Sequence, residues 1–320
     1  MRRAGILINP LSGRNNGKGL ALARKLKDNR YVSLQMPDGF GGLEEAVRSL
    51  ARDKVTDLFI SSGDGTIQAI LSLIETLKVF DHAPRICILP HGTTNLTAGD
   101  IGLRISSIAT QAEFISSLPR TKTARRSTVR VVNAKAGGPR LGFSFGAGAA
   151  ATATRKAQVD FNDKGVKGSL ASFATIAGGL TRAAFTKPVP GDLTRLDRPC
   201  LMTVAREKET LAQGPQLLFV ATTLDHLFFR TKPFWGPREG AIRAVAVAFP
   251  PPNILRWAVP LMYGWVKDKS PPGCISFSGD AFEITCSEPY VMDGEFFNGP
   301  DHEPLKVTAG PEFEFIVSPR

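Results

Sequence analysis

No apolar run in the sequence approaches the roughly 18 uninterrupted residues that a membrane-spanning helix needs, so a spanning protein is not expected. The first apolar stretch, in MRRAGILINP, stops at Asn9 and Pro10. It is too short for a signal-peptide core and reads as a first buried strand. Cysteine is scarce: Cys87, Cys200, Cys274 and Cys286 stand far apart without zinc-ligand spacing, and the 4 histidines are equally scattered. That pattern points away from a zinc fold and towards buried, reduced thiols in a cytoplasmic setting. Aromatic residues make up only 8%, with no stripe of alternating basic and aromatic positions, so nucleic acid is not expected as a partner. There is no internal repeat and no low-complexity tract.

What is present is a chain of 320 residues with 42% hydrophobic content, enough for one large domain or two ordinary ones. Its net charge of +11 predicts attraction to anions, with nucleotides and anionic lipid surfaces the leading classes.

The first third alternates. Short apolar runs at Gly5 to Ile8, Asp57 to Ser61 and Arg85 to Leu89 are separated by stretches of helical period at Leu20 to Leu26, Leu43 to Leu50 and Ile67 to Leu77. Such alternation predicts βαβ units, a doubly wound α/β domain and a parallel sheet covered on both faces. Ligands of such sheets bind outside the carboxyl ends of the strands. After Pro119 the texture changes to RTKTARRSTVRVVNA and then to strand-like pieces at Leu201 to Val204, Leu217 to Thr222, Ala241 to Ala248, Cys274 to Phe277 and Phe313 to Val317. Helical inserts are expected near Gly168 to Phe185 and Asn253 to Lys267. The expected division is an α/β domain over 1–122 and a mostly antiparallel, β-rich domain over 123–320, with the last strand able to pack back toward the first domain.

Three loops follow strands at the sheet's ligand-binding edge. In INPLSGRNNGKG, small residues around Ser12, Gly13 and Gly17 let backbone amides face an anion, although the spacing is not that of a Walker A loop. In ISSGDGTIQAIL, Gly63 and Gly65 can take positive φ and bring main chain against a ligand, while Thr66 can cap the next helix. Asp64 stands out, because a carboxylate beside a phosphate repels it unless it holds magnesium, a water or a ribose hydroxyl. In ILPHGTTNLTAGDIG, Gly92, Thr93 and Thr94 lead to a helix expected near Asn95. Each loop alone is also readable as a plain turn.

Taken in order, NPLSG, GDGT and PHGTTN, with a late YVMDGEFF and the Gly-rich GFSFGAGAAATATR, resemble the diacylglycerol kinase catalytic family, which includes bacterial diacylglycerol kinases, sphingosine kinases and ceramide kinases. The resemblance implies a two-domain enzyme with ATP and the active site in the cleft between an α/β nucleotide-binding domain and a β-rich lipid-substrate domain. It implies that Asn9, Pro10, Ser12 and Gly13, Ser62, Gly63, Asp64, Gly65 and Thr66, and Gly92 with Thr93 bind the nucleotide. Glu295 would be the general base on the acceptor hydroxyl, with Asp293 and Asp64 beside the chemistry and Asp293 a metal or water ligand. Where family members carry Asp-Asp-Gly, this chain has Arg238, Glu239 and Gly240, so Glu239 is the candidate magnesium ligand there.

The function so implied is ATP- and magnesium-dependent phosphorylation of a primary hydroxyl on a diacylglycerol-like or ceramide-like lipid, by a protein that touches the membrane peripherally. The alternatives are a kinase for ceramide or sphingoid bases specifically, and a nucleotide- or lipid-binding homologue without turnover. NAD kinase shares a Gly-Asp-Gly loop but lacks the NPLSG opening and the late DGE. Two stretches are candidates for the lipid side: PPNILRWAVPLMYGWVKDK, with Ile254, Trp257, Leu261 and Trp265 near one helical face, and LFFRTKPFWG. For the first, burial against a sheet is the ordinary alternative.

Overall fold

The structure is a computed structural model that describes residues 2–12, 17–92, 95–132, 139–155, 198–227, 230–251, 253–266, 270–286, 288–298 and 303–317. It divides into two compact units. The first comprises Met1–Thr128, Arg140–Gly142 and Pro311–Arg320, and the second Val129–Pro139 and Phe143–Gly310. The helical insert expected at Gly168 to Phe185 lies outside the described residues.

The first unit is built on β1 (Ala4–Ile8), β2 (Val32–Gln35), β3 (Asp57–Ser62) and β4 (Arg85–Pro90). All are parallel, in the order β2-β1-β3-β4. Beyond β4 lies the end of the last strand, whose Phe315 pairs with Ile86, also in parallel. Every residue of β1 and β3 is buried, as a strand covered on both faces requires.

The helices are α1 (Lys18–Leu26), α2 (Leu43–Arg52), α3 (Asp64–Leu77), α4 (Leu96–Ile101) and α5 (Ile108–Ser117). Ala4, Ile6 and Ile8 of β1 face Leu22 and Leu26 of α1 and Ile115 of α5 in one core. On the other face, a Cβ on Gly5 would strike Leu50 of α2 and Val55. Helix α2 shows why these segments are helical: Leu43, Ala46, Val47 and Leu50 fall on one buried face. Glu44 and Glu45 start it, Arg52 ends it, and Arg48 pairs with Glu44 one turn away at 2.8 Å. Strand β2 escapes a periodicity search because it has only four residues, two of them partly exposed.

The second unit is mostly antiparallel: β7 (Ser144–Gly148), β8 (Cys200–Arg206), β9 (Glu209–Thr222), β10 (Ile242–Ala248), β11 (Cys274–Gly279), β12 (Ala281–Cys286), β13 (Tyr290–Met292) and β14 (Glu295–Phe297). Short β6 (Arg140–Gly142) belongs to the first unit. Strands β5 (Thr123–Val132) and β15 (Leu305–Ile316) each contribute residues to both units. Strand β9 is the organiser, pairing with β8 along its first half and with β7 and β10 along its second. Phe145, Phe219, Phe282, Tyr290 and Met292 centre the core.

The Gly-rich segment expected to run from strand to helix does so, with β7 passing into helix at 149–155. The later helix is α6 (Ile254–Met262), shorter than expected and holding Pro260. Among the described residues no helix is long and apolar enough to cross a membrane.

Candidate functional site

In the first unit β1 and β3 are neighbours, with β2 on one side and β4 on the other. The chain therefore leaves β1 and β3 in opposite directions, which opens a crevice at their carboxyl ends. The loops after β1, β3 and β4 meet there.

After β1, Asn9 and Pro10 open a β-turn closed by the Ser12 amide donating to the Asn9 carbonyl at 3.1 Å. The Asn9 side chain works in two directions: Oδ1 accepts from the Leu11 amide at 3.0 Å and Nδ2 donates to Thr66 Oγ1 at 2.9 Å. The Asn9 amide also donates to the Ser61 carbonyl at 3.1 Å. The first loop is thus fastened to the second.

The second loop differs from the sequence expectation in two respects. Gly63 has φ −87° and ψ 171°, an extended conformation open to any residue, and Gly65 lies within the first turn of α3. Positive φ is therefore not what these glycines supply. Thr66 does not cap α3 either; Gly63 stands at the N-cap with no side-chain cap. The first-turn amides of α3 have no intrahelical acceptor, and the helix end carries partial positive charge. The glycine that contact requires is Gly92, where a Cβ would lie 2.7 Å from Gly63 Cα and 3.2 Å from the Ser62 carbonyl. The second and third loops touch backbone to backbone.

Asp64 is buried, and its carboxylate accepts from the Leu96 amide at 3.2 Å and the Thr97 amide at 3.1 Å. It supplies the N-terminal acceptors of α4. The negative charge at the start of α3 is thereby offset by two donors from the next loop, which explains how this carboxylate is tolerated in a buried position. Asn95, with φ 51°, closes the third loop: Oδ1 accepts from the Gly92 amide at 2.8 Å and Nδ2 donates to the Gly92 carbonyl at 2.9 Å.

Beneath these contacts Ser61 Oγ and His91 Nδ1 are 2.7 Å apart, with His91 buried. Burial first, and then the charge of Lys18, pull the His91 pKa down to about 4, so the imidazole is neutral near pH 7. The Ser62 hydroxyl is buried and has no partner among the described residues. A buried donor left over beside an uncapped helix end fits an anion, since buried polar groups otherwise find protein partners. Gly13 and Thr93 lie outside the described residues.

The remaining site residues belong to the second unit. Asp293 and Gly294 form a hairpin turn between β13 and β14 with φ of 48° and 90°, the two positive values a type I′ turn needs. The Asp293 carboxylate is buried and accepts from the Phe143 amide, the Ser144 amide and Ser144 Oγ, each at 2.8 Å. It ties the hairpin to β7, so the carboxylate expected to serve chemistry or metal also has a structural task. Glu295 is exposed at the start of β14. Glu239 is exposed and pairs with Arg206 at 3.2 Å, while its own amide donates to Ser278 Oγ at 2.7 Å. Among the described residues no group of three His, Cys, Asp or Glu side chains is placed to hold a metal ion.

Sequence reading placed Asn9, Ser62, Gly63, Thr66 and Gly92 together, and the structure does so. It missed Ser61, His91 and Asn95 as the pieces that lock the loops to one another. Asn95, preceding a helical run, carried a turn signal that would have found it.

Residues 3–126 match the family model described as the diacylglycerol kinase catalytic domain. Among curated protein sequences none matches the chain significantly. Among solved structures, a "putative diacylglycerol kinase" from Bacillus anthracis str. Sterne superposes with a TM-score of 0.66 at 16% identity, covering 99% of this chain and 98% of that one. Another structure from the same organism, described as a diacylglycerol kinase, gives 0.61 at 13%, covering 99% and 97%. At these identities the likeness is one of fold.

Proposed function

We propose that this chain, whose residues 3–126 match a diacylglycerol kinase catalytic domain, is an ATP-dependent lipid kinase that transfers the γ-phosphate to a primary hydroxyl of a diacylglycerol-like or ceramide-like lipid. The observation that carries the reading is the fastening of three strand-end loops at the β1/β3 crevice, through Asn9 to Thr66, Gly63 against Gly92, and Asp64 to the start of α4. Phosphoryl transfer asks a protein mainly for positioning and for stabilisation of charge on the transferred group. The uncapped start of α3, the Ser62 hydroxyl and the Ser12 turn are suited to holding phosphates. The nucleotide would enter as its magnesium complex, the ion carried mainly by phosphate oxygens and water.

The acceptor hydroxyl must lose a proton as it attacks, and an exposed carboxylate is a suitable acceptor for it. Glu295 is our candidate for that role. Asp293 would act on Glu295 only indirectly, by holding the hairpin that presents it. A second reading, a nucleotide- or lipid-binding homologue without turnover, draws support from the pairing of Glu239 with Arg206.

The test is transfer of radiolabelled γ-phosphate in mixed micelles, with diacylglycerol, ceramide, sphingosine and NAD offered separately, with and without magnesium. Label in diacylglycerol or ceramide supports the proposal and names the acceptor. ATP binding without label in any lipid favours the second reading, and label in NAD alone overturns both.

A further inference from the structure

We propose that the solvent face of α6 and the turn that follows it form a docking surface for an anionic lipid bilayer. Val259, Tyr263 and Trp265 are 53%, 36% and 67% exposed, three large apolar or aromatic side chains within seven residues. Arg256 and Val259 lie on one helical face, Tyr263 follows at the helix's end, and all three are exposed. The opposite side is occupied: Leu261 packs on the core of Leu217, Phe234, Val245 and Val247.

The exposure of Trp265 is built into the fold. The Trp265 amide donates to the Pro260 carbonyl at 2.9 Å, and the next residue, Val266, is buried. Gly264 has φ 65°, and a Cβ there would lie 2.5 Å from the Phe234 carbonyl and 2.8 Å from that of Lys232. The turn is therefore clamped on both sides of the indole, which stacks on the Tyr263 ring at 5.0 Å and 22°. Fixing two aromatic rings in solvent forfeits hydrophobic stabilisation unless another phase covers them.

Composition and charge select a bilayer as that phase. Trp and Tyr with flanking basic residues are the side chains that settle at the headgroup level. Arg256 lies over the Trp257 ring at 5.3 Å, and exposed Lys232 is joined to α6 by a hydrogen bond from its backbone amide to the Met262 carbonyl at 2.9 Å. Arg256 and Lys232 are both exposed, whereas Arg238 and Arg243 pair with Asp225 at 3.9 and 3.7 Å and add no free charge to this face. An exposed aromatic and apolar face with Arg256 and Lys232 beside it complements an anionic interface. This inference does not depend on the proposed reaction.

The test is co-sedimentation of the full chain with vesicles of phosphatidylcholine, alone or mixed with phosphatidylglycerol, over a salt series. Binding to the anionic vesicles that weakens with salt is expected, and Trp265→Ser and Arg256→Glu should each reduce it about tenfold. Melting temperature shows whether each variant is folded. If Trp265→Ser melts early, exposed Arg256→Glu decides alone. The proposal is overturned if the unaltered chain ignores anionic vesicles, or if the folded variants bind them as tightly. It also fails if Trp265→Ser abolishes self-association by analytical ultracentrifugation while leaving vesicle binding intact, since a second copy would then be the partner.

Discussion

At the residue scale, His91 shows how the crevice is tied to the core and what that costs in acid. Its imidazole sits against Ser61 Oγ, buried, with a pKa lowered from 6.5 to about 4 chiefly by burial. Below pH 6.5 the unfolded chain takes up a proton there that the folded chain refuses until about pH 4. Stability therefore falls as pH drops through this window, by roughly 3 kcal/mol from this group, and does not change further below it. Thermal melting should consequently drop between about pH 7 and about pH 4.5. His91→Gln should show a shallower drop, and parallel losses in both proteins would assign the titration elsewhere.

The two contacting glycines make a second residue-scale contrast. Gly92→Ala drives a methyl into the Gly63 backbone and should destabilise by about 1–3 kcal/mol in urea titration. Gly63→Ala meets nothing nearer than Ser12 Oγ at 3.7 Å and should be nearly neutral to folding. Equal costs would mean that the loops do not approach as described.

At the scale of elements, what the sequence disclosed and what it hid divide along contact distance. Strands β1, β3 and β4 and helices α1 to α3 were legible because each carries its own period and its own bounding turn. The Asp-Gly at 293–294 carries a local hairpin-turn signal, which the sequence reading passed over for a catalytic one. The partners of its carboxylate were not legible, since Phe143 and Ser144 lie 150 and 149 residues earlier. Asp64 is similar: its place in a loop could be read, but its acceptance of amides 32 and 33 residues later could not.

Asp293 therefore offers a test at this scale. Asp293→Ala leaves the buried Phe143 amide and the half-buried Ser144 amide without their acceptor and should cost about 2–3 kcal/mol of stability, measured by denaturant titration. Nucleotide affinity, which we propose rests on the loops of the other unit, should stay within about twofold. A variant of unchanged stability would remove Asp293 from the structural role.

At the scale of the whole molecule, the proposed labour is divided between the two units: loops that bind anions in one, and in the other an exposed carboxylate and an aromatic, basic face. That division lets binding, chemistry and folding be separated by paired substitutions. Asp64→Asn weakens the acceptor at the start of α4, so it should lower stability by about 1–2 kcal/mol and nucleotide affinity with it. Glu295→Gln is different in kind. The side chain is exposed at the start of β14, so its replacement should change stability by no more than about 0.5 kcal/mol. If Glu295 takes the acceptor's proton, phosphoryl transfer should nonetheless fall by about 10²–10⁴-fold with nucleotide affinity unchanged. Equilibrium nucleotide binding, melting temperature and transfer rate, measured on the same two proteins, distinguish the cases. Asp64→Asn moves the first two, Glu295→Gln only the third, and full turnover in Glu295→Gln would place the base on another residue.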